Sequence, residues 1–331
     1  MTNLTIASQG GILPLNQPVN DIIEALIASK HKASTRYTYV QNLKYFAHYL
    51  INGLIGKGKR ILMLDVDIKR VLGEFLAMDK VTAICYLSQY QNELIEADYV
   101  PNTINIRLSA IRSLVKFAFK RGFCNWLVED LLSLGTEVYR DTSGVSKDIF
   151  SDIISGILTD TISGKRDYAI LRLLWDNALR RSEVSNLNIE DFDSKEGTLK
   201  IKGKGKFSKE VIYLSPKTCE ALTQWLGVRY NPLPNQPLFI SLATNTNGHR
   251  LTGKSIYCIV RKYADPVLTD KILSPHRVRH SSITALLDAS GGNVRLAQKL
   301  SRHKNLDVLT RYDDNRVSLQ KEAVNILASL V

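Results

Sequence analysis

SPHRVRHSSITALLDASGGNVRLAQKLSRHKNLDVLTRYDDN, residues 274–315, sets two histidines, an arginine and a tyrosine among segments of helical periodicity. His276 and Arg279 are three residues apart, so a helix running from Pro275 carries both side chains on neighbouring turns of one face. His303 and Tyr312 follow on the next short elements, separated by the turn signals Gly291-Gly292-Asn293 and Lys304-Asn305. Four polar groups can converge there, and the rest of the chain reads as their support.

Working outward, 331 residues suffice for two domains with separate cores. Lysine and arginine number 44 against 32 acidic residues, a formal charge of +12, which favours a polyanionic partner such as nucleic acid. No stretch approaches the roughly 18 uninterrupted apolar residues of a membrane span, and no basic residue precedes an apolar leader. A cytoplasmic protein without a membrane partner is expected. Cys85, Cys124, Cys219 and Cys258 show no metal-ligand spacing and read as reduced, buried packing residues, so no metal site is expected.

Residues 1–17 carry no charge and read as a loosely held tail. Caps at Asn20 and at Ser34-Thr35 open two helices, and Val66–Met78, Val81–Ile95 and Asn102–Lys120 are amphipathic, making 18–140 an all-α domain. The polar junction Arg140-Asp141-Thr142-Ser143-Gly144 precedes a capped helix at Ser146 and marks the start of a second domain, 141–331. Both domains are basic, with 16 basic against 12 acidic residues in the first and 28 against 20 in the second. Two basic lobes can close around a duplex.

In the second domain, Ile149–Leu158 and Arg166–Leu179 read as helices, the latter buried. Ser182 reads as the cap of a short helix through Glu183, Val184 and Leu187, placing Arg180 at a helix junction. Thr198–Lys202 and Glu210–Leu214 form a β-hairpin around the basic turn 203–208, and Pro237–Ile240 a further short strand. Helices follow over 216–228 and 252–264, and residues 316–331 form a terminal amphipathic helix with something to dock against. The fold class expected is mainly α with a small β-sheet: a helical domain followed by a mixed α/β domain.

In chain order the chemistry-bearing residues are Arg180, Lys204, His276, Arg279, His303 and Tyr312. ALRRSEV (178–184) resembles the G-L-R-x-S-E-L motif of the tyrosine recombinases, the phage integrase family of site-specific DNA recombinases. IKGKGK (201–206) resembles the family's strand-turn I-x-G-K-G, and HRVRH (276–280) its H-x-L-R-H. SRH (301–303) stands where L-G-H is usual, and Tyr312, nine residues after His303, fits the family's spacing. Each motif alone is weak; their order over about 140 residues carries the resemblance. The helices of 18–140 look like the family's core-DNA-binding domain by pattern alone. With only about 17 residues ahead of the first helix, the chain looks like the Xer or Cre recombinases, which lack the arm-binding domain of many phage integrases.

The resemblance implies a task for each residue. Cutting a phosphodiester without a metal needs a nucleophile, fixed positive charge and an acid for the leaving oxygen. Tyr312 is expected as nucleophile, Arg180 and Arg279 as guanidinium clamps on the non-bridging oxygens, and Lys204 as general acid. His276 is expected to accept the phenol proton, His303 to donate to the phosphate, and Glu183 to support Arg180. The family's reaction passes through a 3′-phosphotyrosine and a Holliday junction, in a tetramer on two DNA sites, with no cofactor, ATP or metal. The terminal helix is expected to pack on a neighbouring subunit.

Taken singly, these residues have plainer readings. Tyr312 alone is a half-buried aromatic, and Arg180 an ion-pair partner of Glu183. Lys204 is one of the run Lys200, Lys202, Lys204, Lys206 and Lys209, selected only by its place in Gly-Lys-Gly. His280 faces elsewhere on its helix and reads as packing. The complete set of six favours an active recombinase over an inactive DNA-binding regulator. Compact size and the long terminal helix favour it over a type IB topoisomerase or telomere resolvase. Three departures from the motifs stand out: Asn177-Ala178 replaces Thr-Gly before Arg180, Arg302 replaces glycine before His303, and the basic residue usual after the Gly-Lys-Gly turn is displaced, with Lys209 or none standing in.

Overall fold

The computed structural model describes residues 20–53, 65–129, 133–135, 144–203, 208–303, 324 and 328–329. The chain divides into two compact units, Met1–Val138 and Tyr139–Val331.

The first unit is helical: α1 (Asn20–Ala28), α2 (Ala33–Asn52), α3 (Asp65–Ala77), α4 (Lys80–Glu96) and α5 (Pro101–Phe119). Apolar residues at helical spacing bury one face of each, so Leu43, Phe46 and Ala47 of α2 meet Leu72 and Phe75 of α3 and Leu87 and Tyr90 of α4 in one core. Phe46 packs edge-on to Phe75 at 4.9 Å between ring centroids. Asp79 caps α4 by accepting the Thr82 N–H at 3.0 Å, and Gly53, at φ +61°, ends α2. The expected cap at Ser34-Thr35 is corrected: α2 begins at Ala33 after Lys32, which makes no side-chain cap bond. Asn20 likewise lies within α1 rather than ahead of it.

The second unit has α6 (Lys147–Ser155), α7 (Ile162–Asp176), α8 (Arg181–Ser185), β1 (Phe192–Asp193), β2 (Thr198–Ile201), β3 (Glu210–Tyr213), α9 (Pro216–Gly227), α10 (Gly253–Ala264), α11 (Pro275–Ala289) and α12 (Val294–Ser301). The strands form one antiparallel sheet in the order β1-β2-β3, with Leu199 opposite both Phe192 and Ile212. Leu199 and Ile201 point into the core while Lys200 faces water, the alternation of a half-buried strand. Residues 237–240 do not form the expected strand, because only Pro237 and Ile240 make bridges, each with a separate partner.

Helix α7 is the spine, packing along α9 and against α11. Its Ala169, Ile170, Leu171, Leu173 and Leu174 are all buried, and Trp175 stacks on Phe150 of α6 at 4.1 Å. Ser282 of α11 donates to the carbonyl of Trp175, which ties the middle of α11 to the end of α7. Of the cysteines, only Cys124 is buried; Cys219 is half-buried, and Cys85 and Cys258 are exposed, which corrects the expectation of four packing thiols. No helix among the described residues is long and apolar enough to cross a membrane.

Candidate active site

The site lies where the end of α7, the start of α11 and the end of α12 meet. Ser274 caps α11 by accepting the Arg277 N–H at 3.2 Å, and Pro275 occupies its first turn. His276 and Arg279 follow one turn apart, at different depths: His276 is exposed at the rim, and Arg279 is 1% exposed beneath it. Arg279 Nη1 donates to the Ala178 carbonyl, and Nη2 to the Ser301 carbonyl and to His303 Nε2, the last at 3.1 Å. Surrounding protein lowers the proton affinity of His276, and the charges of Arg279 and Arg180 act in the same direction.

Helix α7 stops at Asp176, short of the expected Leu179, because Ala178 takes φ +46° and turns the chain. Asn177 donates from its side chain to the Tyr213 carbonyl at 2.8 Å, fastening this turn to β3. The expected cap at Ser182 is also corrected: Arg180, extended at φ −77° and ψ 148°, is the N-cap, and Ser182 lies inside α8. The reason is Glu183. Three residues into the helix, it reaches back to accept the Arg180 backbone N–H at 2.8 Å with Oε2 and Arg180 Nη1 at 2.8 Å with Oε1. Its side chain is 1% exposed. Burial alone raises its pKa, but the Arg180 N–H and the charges of Arg302 and Arg180 outweigh burial and hold the carboxyl below its ordinary 4.5.

Asn293 caps α12, accepting the Leu296 N–H at 3.0 Å. The helix ends at Arg302 in the left-handed conformation, φ +57° and ψ 33°, its N–H bonded to the Gln298 carbonyl at 2.7 Å. The two positions where the motif has glycine and this chain does not, Ala178 and Arg302, are thus both left-handed, the conformation glycine adopts most cheaply. Arg302 turns its guanidinium inward, to Glu183 Oε2 at 3.0 Å, the Leu300 carbonyl at 2.8 Å and the Asn177 carbonyl at 3.2 Å. Its Nε stands 3.6 Å from Glu210.

His303 follows directly. Burial first, then the charges of Arg279, Arg180, His276 and Arg302, push its pKa down to about 4, so it is neutral near pH 7. Because arginine can only donate, Nε2 accepts from Arg279 and the ring proton resides on Nδ1 in this state. Four of the residues singled out in the sequence, Arg180, His276, Arg279 and His303, therefore share one pocket with Glu183. Three guanidiniums, Arg180, Arg279 and Arg302, against the two carboxylates Glu183 and Glu210 leave an excess of positive charge suited to a phosphate.

Lys204, Tyr312 and, apart from residues 324 and 328–329, the terminal helix expected over 316–331 lie outside the described residues. Within the lysine run, Lys209 is engaged in an ion pair with the buried Asp191. Sequence reasoning missed the bridging role of Arg302; the signal was present, since a bulky cation at a position that favours glycine calls for a compensating contact. Among the described residues no group of three or more His, Cys, Asp or Glu side chains is placed to hold a metal ion.

The model of the phage integrase family matches residues 150–318, which span every motif noted above. The chain belongs to the phage integrase family of tyrosine recombinases. A tyrosine recombinase of Synechocystis sp. is 44% identical over 327 residues, covering 98% of this chain and 99% of its own length. A second, from Synechococcus elongatus, is 36% identical over 313 residues, 94% of each chain. Among solved structures, the XerH site-specific recombinase bound to a palindromic difH substrate aligns at TM-score 0.61 and 18% identity, covering 94% of this chain and 95% of that one. A lambda integrase (75–356) dimer bound to a core site aligns at TM-score 0.60 and 13% identity, over 87% and 94%. At these identities the likeness establishes the fold: a tyrosine recombinase, mainly helical with a small sheet. The family makes the chain a recombination enzyme, a site-specific DNA recombinase.

Proposed function

We propose that this recombinase cleaves and rejoins double-stranded DNA at a specific site through a 3′-phosphotyrosine and a Holliday junction. It works as a homotetramer on two DNA sites, for integration and excision or for dimer resolution. Tyr312 Oη attacks the scissile phosphorus, the bond to the 5′ oxygen breaks, and Lys204 protonates that oxygen as it leaves. His276, whose lowered proton affinity leaves it neutral, accepts the phenol proton. Arg180 and Arg279 stabilise the charge that develops on the non-bridging oxygens. His303 donates to the phosphate once a phosphate oxygen displaces Arg279 from its Nε2 and the ring proton shifts from Nδ1 to Nε2. Because the phosphotyrosine retains the energy of the broken bond, a 5′ hydroxyl from a second DNA end reverses the step, and neither ATP nor a metal is needed. The helical first unit grips core DNA, the second unit carries the chemistry, and residues 316–331 pack on a neighbouring subunit.

The observation that carries this reading is the Arg279–His303 contact at 3.1 Å, in one pocket with Arg180 on its Glu183 cap. The DNA complexes named in the XerH and lambda integrase structures support duplex DNA as the substrate. The test is a nicked suicide duplex carrying the inverted repeats found beside the gene. Wild-type protein traps a covalent complex, with or without EDTA. Failure to trap on every such repeat, or dependence on added metal, contradicts the proposal.

A further inference from the structure

Arg302 occupies a position where the family motif has glycine, and its guanidinium is not turned to solvent. Its side chain is 10% exposed, and its nitrogens reach three separate elements: the Leu300 carbonyl at the end of α12, the Asn177 carbonyl in the turn after α7, and Glu183 of α8. Arg279 makes a parallel set of contacts one residue along, from the Ser301 carbonyl to the Ala178 carbonyl. Two arginines thus bridge the same pair of turns, consecutive carbonyls on one side to consecutive carbonyls on the other. Only Arg302 also reaches Glu183. The Glu183 carboxylate is shared, with Oε1 serving Arg180 Nη1 and Oε2 serving the Arg180 N–H and Arg302.

We infer that Arg302 is a positioning residue: it neutralises Glu183 and locks the 177–178 turn to the end of α12, which keeps the Arg180 guanidinium oriented and electrostatically available for the scissile phosphate. With Arg302 absent, Glu183 has Arg180 as its sole cationic partner among these contacts, and the pair closes on itself at the expense of the phosphate. Lysine at 302 supplies the charge but not the planar fork that reaches two carbonyls and a carboxylate together. The inference rests on the recombinase reading above.

The test measures single-turnover cleavage of the suicide duplex at saturating protein, alongside DNA affinity, for wild type, Arg302→Met, Arg302→Lys and the double variant Glu183→Gln/Arg302→Met. All are assayed at a temperature where each is folded by circular dichroism. Expected are a cleavage rate roughly 10- to 100-fold lower for Arg302→Met with DNA affinity within about threefold of wild type, partial recovery in Arg302→Lys, and a rate for the double variant above that of Arg302→Met. Recovery on removing the Glu183 charge is the outcome a purely structural spacer does not give, since a second lesion in a spacer only adds to the first. A cleavage rate at the wild-type level in Arg302→Met overturns the inference while leaving the recombinase reading intact. So does a double variant slower than Arg302→Met, or a loss confined to DNA affinity. Absence of trapping by wild type overturns the reading and the inference together.

Discussion

Glu183→Ala is the substitution for which the structure gives the firmest magnitude. The carboxylate is 1% exposed and accepts three charge-assisted hydrogen bonds, two from Arg180 and one from Arg302. Removing one partner of a buried ion pair costs about 3–5 kcal/mol, because the remaining charge stays buried. Arg302, with a side chain 10% exposed, bears most of that cost, whereas Arg180, 26% exposed, relaxes partly toward water. The lower end of the range, about 3 kcal/mol, therefore applies, and in a unit of this size it lowers the melting temperature by roughly 6–12 °C. Trp175 and Trp225 lie in the second unit, so a fluorescence melt reports the change there. The pH dependence has a definite sign. The carboxyl is held below its ordinary 4.5 in the folded chain, so its contribution is complete above that value and is lost as pH falls through the lower folded one. The gap between wild type and variant closes in acid. A Glu183→Ala melt within about 1 °C of wild type near pH 7, or a gap that widens in acid, refutes this account of the site.

His303, with its pKa pushed down to about 4 against an ordinary 6.5, binds fewer protons folded than unfolded between those values. Its burial therefore costs stability progressively as pH falls from about 6.5 to about 4, and a His303→Gln variant shows a shallower loss over that window in pH-dependent urea melts. Lys204→Ala slows cleavage by about 10²–10³-fold, and a 5′-phosphorothiolate duplex, whose leaving group needs no proton, restores most of the rate. Lys209→Ala instead removes the partner of the buried Asp191 and lowers stability by about 1–2 kcal/mol in urea melts, with little rate rescue on the same duplex. Gly144→Ala places a Cβ 1.8 Å from Ser281 Oγ and 2.8 Å from the Arg277 carbonyl on α11, and costs about 1–3 kcal/mol by thermal melt.

The helices were legible because their apolar residues recur at helical spacing, and the hairpin because Leu199 and Ile201 alternate with lysines. What the sequence hid depends on contacts between distant segments. The cap of α8 looked like Ser182 because serine caps by its own side chain, whereas here Glu183 reaches backwards and shifts the cap to Arg180. The end of α7 was overrun by three residues because nothing in alanine's local preference announces the left-handed turn at Ala178; its carbonyl is held by Arg279, 101 residues away. Pro237–Ile240 has the composition of a strand but finds no continuous partner edge, since its bridges go to Asn188 and Arg250 separately. In the candidate site, residue types and their order were readable from the motifs. Depth was not: helical spacing put His276 and Arg279 on one face, and only packing against α12 separates an exposed rim from a buried rivet. The departure at Arg302 was visible in the sequence, but its ion pair with Glu183 was not.

The central claim is that DNA is joined to Tyr312 by a 3′ phosphate, and it is tested most directly by isolating the complex trapped on a suicide duplex, digesting it, and locating the nucleotide by tandem mass spectrometry. The account predicts a single peptide carrying the adduct on Tyr312, with a free 5′ hydroxyl on the released strand and no adduct from Tyr312→Phe. An adduct on any other residue, a 5′-phosphate linkage, or undiminished trapping by Tyr312→Phe contradicts it.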